Sequence, residues 1–541
     1  MQSPTRNRSL YPLHTVVKIG NRCVHVDAAA EAVVNKFEKL WPYPKEIQHL
    51  GEEFAMPNDI LVLGEAPFPL FHDDLRFFGI NADGNPNDYK LSLSIDPEIE
   101  GPDGYHLSVQ KDRTEIVGSS NAGLANGAQT FLQILAIYSG TGDLPVLTIK
   151  DHPTYKKRCF MLDLGRSVFN MPTLKRIIRM LARLKMNQLH LHLYDDPLCG
   201  IRFEGLPFGH DNPYSISIRD LGELVSYAAE YNVEIVPELE GWAHVTSIVY
   251  HYPHLRGGDG AYKGSSFLIC EEMFALMKNM TRQVVEVMPN EATIHFGLDE
   301  AQWHVSKEMP EGYSPEDLLH RYYDMLQELA AESGKKLAMR IWADHGGRPV
   351  PQEIQHNTII EPWQYWDENT GLIDKQIEQY SGEGKMRFMM GAGQSNAQHR
   401  GAFHATRYWC THALNSPNVD GVNITFWGIN DLAPKLITLF SGAHYAWNPE
   451  SPMKWAYSED YETVDHFMFP VMHWWQSNFR DAYPDEIQKD SAPYVYFGYY
   501  MWGDKHGQPV CPAAQMADTL FEHNFLIPGR SKDNTHVGLP D

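Results

Sequence analysis

Two adjacent acids, Asp299 and Glu300, follow an apolar segment of the chain. The segment, 292–296, is predicted to be a strand, and Gly297 after it permits the backbone to turn. Because neighbouring residues on a strand point to opposite faces, two adjacent acids can serve one site only where the strand has ended. Such a pair could supply general acid and base catalysis. An isolated Asp-Glu pair is more often a solvated strand end, so other segments must decide between the two interpretations.

From about residue 155 the chain alternates apolar strands with amphipathic helices. Eight strands are predicted, each followed by a connection long enough for a helix, which favours a closed (β/α)8 TIM barrel over an open sheet. The helix after the first strand is the best defined, because Asn170 can cap it and Pro172 lies in its first turn. The predicted strands are 159–164, 187–193, 233–237, 292–296, 337–342, 358–362, 386–391 and 422–427.

The carboxyl ends of these strands collect the residues that could do chemistry. In a (β/α)8 barrel the active site lies at those ends, so acids and aromatic residues there should meet on one rim. Acids or tryptophans follow seven of the eight strands. In chain order the rim residues are Asp163 and Arg166, Asp195 and Asp196, Glu238, Glu240 and His244, Asp299 and Glu300, Trp342 and Asp344, Trp363 and Trp366, and Trp427.

Acids and tryptophans on one rim favour a carbohydrate ligand. The apolar face of a pyranose stacks on an aromatic ring, while its hydroxyls bind carboxylates and arginine. Glycoside hydrolysis usually places two carboxyl groups on opposite sides of the scissile bond. Consecutive residues are better placed to act from one side, one at the leaving oxygen and the other at a substituent on C2. This geometry favours substrate-assisted catalysis, in which a 2-acetamido group is the nucleophile.

Four segments resemble, in the same order, motifs of the family 20 glycoside hydrolases, the β-N-acetylhexosaminidases. Residues 294–300 are similar to the family's His-Xaa-Gly-Gly-Asp-Glu motif, with Leu298 in place of the second glycine. Residues 237–244 are similar to its Pro-Glu-Ile-Asp-Met-Pro-Gly-His segment, with Glu240 where the family has Asp. Residues 160–166 and 185–196 are similar to its first-strand and second-strand segments. The resemblance covers about 115–430 and implies a barrel preceded by a small α/β domain.

The resemblance implies roles for individual residues. Glu300 would be the general acid and then base, and Asp299 would orient the acetamido N–H and stabilise an oxazolinium ion. The neighbouring charge and an apolar pocket are expected to raise the pKa of Glu300, so that it can donate a proton. The implied substrate-binding residues are Arg166, Trp342, Trp363, Trp427, Asp344 and Asn430, and the residues expected to hold the acids in place are Asp195, Glu240, His244 and His295.

Two features of the family are missing from the sequence. The family has a Tyr after the seventh strand that binds the acetamido carbonyl, but here no Tyr occurs until Tyr408. Ile429 stands where the family has a Glu that binds the 4- and 6-hydroxyls. We therefore expect altered recognition at O4, with acceptance of a galacto-configured sugar as one consequence.

The predicted function is an exo-acting, retaining β-N-acetylhexosaminidase that releases terminal β-linked GlcNAc or GalNAc and uses neither metal nor cofactor. One alternative is a non-catalytic carbohydrate-binding relative, although such a protein has no reason to keep Arg166 together with both acids. A second alternative is a metal-dependent amidohydrolase built on His190 and His192, for which the sequence offers no third ligand at a typical spacing.

Length and composition limit the classes of partner. The 541 residues carry a formal net charge of -24, which disfavours nucleic acid or an anionic membrane as a partner. No membrane span or signal peptide is recognised, so the default location is cytoplasmic, although a secreted protein that had lost its leader would look the same. The predicted domains are 1–150, a small α/β unit, 151–447, the barrel, and 448–541, an aromatic-rich helical extension that packs on the barrel or mediates a homodimer.

Overall fold

Eight parallel strands form a closed barrel, which confirms the predicted (β/α)8 fold. Each strand pairs with the next one along the chain, and the eighth pairs with the first. All eight overlap the segments that the sequence predicted. The strands are Lys157–Asp163, Gln188–His192, Glu234–Glu238, Glu291–His295, Lys336–Trp342, Thr358–Glu361, Phe388–Gln394 and Val419–Phe426.

The computed structural model describes most of the chain up to residue 451 and short stretches beyond it. The described residues are 16–19, 22–25, 36–166, 168–196, 198–210, 212, 215–257, 266–300, 314–344, 349–366, 369–394, 403–427, 432–451, 474–475, 478–479 and 491–492. Within these ranges, no helix combines the length and the apolar character that crossing a bilayer would require.

Helices connect the strands and cover the outside of the barrel. The first of them, Met171–Arg183, begins as predicted, with the Asn170 side chain accepting a hydrogen bond from the Thr173 N–H and Pro172 in the first turn. Its apolar stripe is buried. The other helices of the barrel region are Ile218–Ala229, Thr246–Val249, Glu271–Val287, Pro315–Ser333, Thr370–Tyr380, Phe403–His412 and Leu432–Trp447, with 3-10 turns at Pro253–Leu255 and Gln352–Asn357 and short paired strands at Ile201–Arg202 and Ile216–Ser217.

A six-stranded sheet precedes the barrel and forms the predicted small domain. Its main helix, Asn121–Tyr138, is capped by the Ser120 side chain. The sequence did not single out the edge strand Glu46–Ala55, because that strand is polar and exposed along most of its length. In spatial order the strands are Glu46–Ala55, Asp143–Asp151, Tyr105–Val109, Arg113–Gly118, Tyr89–Ile95 and Ile60–Leu63, and the chain also forms Val16–Ile19, Arg22–His25, Lys36–Lys39 and Phe71–Phe77.

The small domain packs against the amino-terminal end of the barrel through buried charges. Lys185 donates hydrogen bonds to Tyr105 (2.9 Å) and Asp151 (3.1 Å). Arg158, at the start of the first barrel strand, forms an ion pair with Asp103 at 2.7 Å. These contacts lie at the end of the barrel opposite the rim of strand ends.

The described part of the C-terminal extension packs on both domains. Trp475 is buried, its ring meets Phe440 of the last barrel helix at 5.5 Å, and its indole N–H donates to the Lys39 carbonyl at 3.2 Å. Ser491–Ala492 pairs with Val168–Phe169 beside the first barrel strand. Most of the predicted helical extension, 448–541, lies outside the described residues.

Candidate active site

The chain turns sharply after the fourth barrel strand, and this turn carries both acids. Gly297, Leu298 and Glu300 have left-handed backbone conformations, with φ of 62°, 67° and 53°. His295 accepts a hydrogen bond from the Gly297 N–H at 2.9 Å. A side chain at Gly297 would overlap the Glu240 carboxyl group, so the position requires glycine. Left-handed residues other than glycine cost free energy and are typical of functional sites.

Both acids converge on His244, which follows the third barrel strand. The Nε2 atom of His244 lies 3.1 Å from Glu300 Oε2 and 3.7 Å from Asp299 Oδ2. Its Nδ1 atom faces the carboxylates of Asp196 (3.3 Å) and Asp195 (3.6 Å). The two acids of the turn therefore face one ring nitrogen, and they line the same side of the site.

The charge on His244 reverses the expectation for Glu300. Burial opposes a charge on His244, but Asp195, Asp196 and Glu300 together raise its pKa well above the ordinary value. Burial also acts to raise the pKa of Glu300, yet the hydrogen bond to cationic His244, with the charge of Arg166, lowers that pKa. The prediction that the pKa of Glu300 is raised is therefore wrong, because the sequence did not reveal a cation in contact with it.

Asp299 has one carboxyl oxygen that accepts no hydrogen bond from the residues that the structure describes. The side chain is buried, and Oδ1 has no partner among the described residues. Burial, with the charges of Asp344 and Glu300, raises the pKa of Asp299 to about 7, although His244 opposes the shift. At pH values below about 7 but above the pKa of Glu300, the pair Asp299 and Glu300 therefore holds one proton. A buried acceptor without a donor costs free energy, and a bound N–H group would recover it.

Arg166 belongs to a buried ion-pair cluster at the ends of the first two strands. Its guanidinium donates to Asp163 at 2.8 Å and lies 2.7 Å from Asp195 Oδ2. Asp163 also accepts the backbone N–H groups of Gly165 and Arg166, which fixes the turn after the first strand. The guanidinium lies over the Trp427 ring, 5.2 Å from its centroid. The structure thus brings the predicted sugar-binding Arg166 next to the eighth strand.

Asp344 connects the ends of the fourth and sixth strands. Its Oδ2 accepts the Glu300 backbone N–H at 2.9 Å, and its Oδ1 accepts the Trp363 indole N–H at 3.0 Å. The sequence predicted that Asp344 binds substrate. Because each oxygen accepts a hydrogen bond from the protein, Asp344 braces Glu300 and Trp363. Each oxygen keeps a second lone pair, so binding of substrate by Asp344 stays a prediction.

The tryptophans form a floor and a wall beside the acids. Trp342 is 1% exposed, its indole N–H donates to Glu238 at 2.7 Å, and its ring lies 5.7 Å from Trp427. Trp363 and Trp427 are partly exposed. The structure therefore places Trp342 under the site and leaves the other two as surfaces on which a sugar ring can stack.

Tyr365, which was not predicted from the sequence, also belongs to this wall. Its hydroxyl accepts the Trp427 indole N–H at 3.2 Å, and its ring stacks on Trp363 at 5.3 Å. The sequence could have indicated Tyr365, because it lies two residues after Trp363, at the end of the sixth strand.

Glu240 lies buried beneath the two acids. Neither of its carboxyl oxygens has a hydrogen-bond partner among the described residues. Burial, with the charges of Asp299 and Glu238, raises the pKa of Glu240 well above its ordinary value. A neutral carboxyl group at this position adds no further negative charge beneath Asp299.

The structure also brings together a histidine–carboxylate group that sequence spacing did not reveal. Ligand-type atoms of His190, Glu238 and His295 lie within 4.8 Å of one another. The sequence offered no third partner for His190 because His295 comes from a different strand. These side chains contact one another: Glu238 lies 3.0 Å from His190 Nε2 and 3.1 Å from His295 Nδ1. We therefore describe them as a network under the site.

Three residues that the family resemblance singled out are placed elsewhere or not described. Asn430 and Ile429 lie outside the described residues. Tyr408 lies on the helix Phe403–His412, and its hydroxyl donates to Asp374 at the surface, at 2.9 Å. Tyr408 therefore does not replace the Tyr that the resemblance led us to expect.

Comparison with known proteins identifies similar sequences along both domains. The family model described as glycosyl hydrolase family 20, catalytic domain, matches residues 155–384, and glycosyl hydrolase family 20, domain 2, matches residues 38–152. A β-N-acetylhexosaminidase of Cellulomonas fimi is 33% identical over 188 residues, covering 32% of this chain and 37% of that protein. A β-hexosaminidase of Porphyromonas gingivalis is 25% identical over 400 residues, covering 62% of this chain and 51% of that protein. The chain thus spans about half or less of the length of these relatives.

Solved structures share the fold over a longer part of the chain. The β-N-acetylhexosaminidase of Streptomyces coelicolor has a TM-score of 0.62 and 19% sequence identity, covering 82% of this chain and 98% of that one. The β-N-acetylhexosaminidase of Bacteroides fragilis has the same TM-score and identity, covering 81% and 96%. At this level of identity the likeness concerns the fold.

Proposed function

We propose that this protein, which belongs to glycoside hydrolase family 20, is an exo-acting, retaining β-N-acetylhexosaminidase. It releases terminal β-linked GlcNAc or GalNAc from a glycoside or glycan. In the proposed reaction the acetamido oxygen of the substrate attacks C1 while Glu300 donates a proton to the leaving oxygen. Water then opens the oxazolinium ion, with Glu300 as the base, and the β configuration is retained.

The Asp299 Oδ1 atom, which has no donor among the described residues, carries this proposal. It is a buried acceptor beside the proposed acid, and in the described part of the chain no group donates to it. The acetamido N–H of a bound substrate is a donor of the required kind. A hydrogen bond to this oxygen would orient the acetamido group and place negative charge next to the developing oxazolinium ion.

The same contact explains how Glu300 can become the acid. An N–H donor stabilises the ionised form of a carboxyl group, so bound substrate lowers the pKa of Asp299. The proton that the pair holds then favours Glu300. Arg166 and the partly exposed ring of Trp427, which lie side by side, would bind hydroxyls and one sugar face.

Hydrolysis of a matched set of aryl glycosides tests the proposal. We expect release of the aryl group from the β-GlcNAc or β-GalNAc substrate and none from the β-glucoside, which lacks the acetamido nucleophile. The 6-sulfated forms report whether a modified sugar is accepted. A thiazoline inhibitor that mimics the oxazolinium ion should block the reaction. Glu300→Gln should lower kcat by about 10²-fold or more, the contribution of a general acid, and still bind the inhibitor.

Three other outcomes would change part of the conclusion. Inhibitor or sugar binding without hydrolysis of any substrate would favour the non-catalytic carbohydrate-binding relative. Equal hydrolysis of the glucoside would exclude a mechanism that depends on the acetamido group. A strict preference for GlcNAc over GalNAc would contradict the expected change in recognition at O4.

A further inference from the structure

We propose that His192 is a permanently charged positioning residue beneath the site, an imidazolium that fixes Asp195 and, through it, Arg166 and His244. It lies at the end of the second barrel strand and is fully buried. The functional part of this inference rests on the proposed hydrolase activity, whereas the charge of the ring is tested independently of any activity.

The contacts of both ring nitrogens require two protons. Nδ1 lies 2.6 Å from Glu238 Oε2, and Nε2 lies 2.8 Å from Asp195 Oδ2. Asp195 is also paired with Arg166, and Glu238 also accepts the Trp342 indole N–H, so both carboxyl groups are stabilised as anions. Neither anion can donate a proton to the ring, so each ring nitrogen must carry its own.

His190 provides the contrast, two residues earlier on the same strand and face. It contacts the same Glu238 oxygen through Nε2, at 3.0 Å. Its Nδ1 accepts a hydrogen bond from the Asn423 amide at 3.0 Å, so that nitrogen carries no proton and the ring is neutral. Burial lowers the pKa of His190 to about 4, whereas Glu238 and Asp195 overcome burial and raise the pKa of His192 to about 10.

The charged ring joins the barrel centre to the groups that contact Glu300. Asp195 lies between His192 and Arg166, and it faces His244 at 3.6 Å. Trp427 meets the His192 ring edge-to-face at 5.2 Å. Without the cation, Asp195 would lose a donor and the opposing charge. Arg166 and His244 would then be held less firmly, although each keeps a second carboxylate partner, Asp163 and Asp196 respectively.

Nitrogen-15 NMR of protein labelled at the histidine rings tests the charge. We expect His192 to show both N–H signals unchanged from about pH 5 to about pH 8, the range in which an ordinary histidine titrates. His244, whose pKa is also raised, should show a second unchanged pair, so the variants are needed to identify the His192 signals. Those signals should be lost in His192→Gln and kept in His190→Gln, the matched control on the same strand. If His192→Gln does not fold, Asp195→Asn serves instead, since removing one anion should let the ring titrate within this range. Wild-type signals that titrate there would overturn the proposal.

Steady-state kinetics of the same two variants test the positioning role. His192→Gln should lower kcat by roughly 10²-fold, the loss typical of a displaced catalytic group, with a smaller change in KM. His190→Gln removes a contact to the same carboxylate but none to Asp195, so its kcat should fall far less. Equal losses of kcat in the two variants would show a merely structural role and overturn the inference. If the wild type hydrolysed no amino-sugar glycoside, the proposed function would fail, while the NMR result would still decide the charge of His192.

Discussion

Asp299 and Glu300 titrate as a pair, and this sets a pH range for activity. His244 lowers the pKa of Glu300, while burial raises that of Asp299 to about 7. Between these values the pair carries one proton and one negative charge. The proposed reaction needs both, because the proton serves the leaving oxygen and the charge serves the acetamido group. Raising the pH removes the last proton, and lowering it protonates the remaining carboxylate.

We therefore expect kcat/KM to follow a bell-shaped pH profile with its descending limb near pH 7. The measurement should use an aryl glycoside with a poor leaving group, whose departure depends on the acid. Asp299→Asn should cut kcat severely and move the remaining descending limb to lower pH, since only Glu300, with its lowered pKa, is left to titrate. A limb that stays in place in this variant would contradict the assignment of the limb to the pair.

Leu298 shows what a single residue in a motif does and does not predict. The sequence marked it as a departure without giving a reason. In the structure its buried side chain lies against Gly241 and Tyr322, and a Cβ at Gly241 would come within 2.8 Å of both side chains. The family motif has Met at the position of Gly241 and Gly at that of Leu298. The large and small residues are therefore exchanged across one contact, which only the packing reveals.

Asp344 links the ends of two barrel strands, the fourth and the sixth. It holds the Glu300 N–H and the Trp363 indole N–H with its two oxygens. In Asp344→Asn one oxygen becomes an amide donor, so one of these hydrogen bonds must be lost. We expect kcat to fall about tenfold or more, the value of a hydrogen bond to a charged group. The matched control is Asp420→Asn, at the start of the eighth strand, which should leave kcat unchanged. If kcat is also unchanged in Asp344→Asn, the bracing role is excluded.

The elements that the sequence predicted well are those whose pattern matches their burial. The eight barrel strands are apolar runs because a parallel sheet is covered on both faces, and all eight were found. The strand Glu46–Ala55 was not predicted, since an exposed edge strand has no apolar run to mark it. Strand order also placed the rim acids at one end. It placed Arg166 and His244 on the same rim, but it did not show which side chains pair there, because the pairs join residues from different strands.

At the scale of the whole molecule, the two domains meet at the end of the barrel away from the acids. Lys185 there contacts Asp151 and Tyr105, and Asp151 also accepts the Trp447 indole N–H at 2.9 Å. Lys185 and Asp151 are both buried. The charges of this interface are thus paired with each other and stand apart from the network that holds Glu300.

Lys185→Met should therefore reduce stability and leave catalysis intact. Removing one partner of a buried ion pair costs about 3–5 kcal/mol, because the other charge stays buried without its counterion. Lys157→Met, at the same end of the barrel, breaks a partly exposed pair with Glu234 and should cost no more than about 1 kcal/mol. Denaturant unfolding gives the loss of stability of each variant. A separate measurement of kcat on the folded variants shows whether catalysis is affected. A loss of kcat in Lys185→Met would mean that the small domain does influence the site, since no contact at this interface reaches the acids among the residues described.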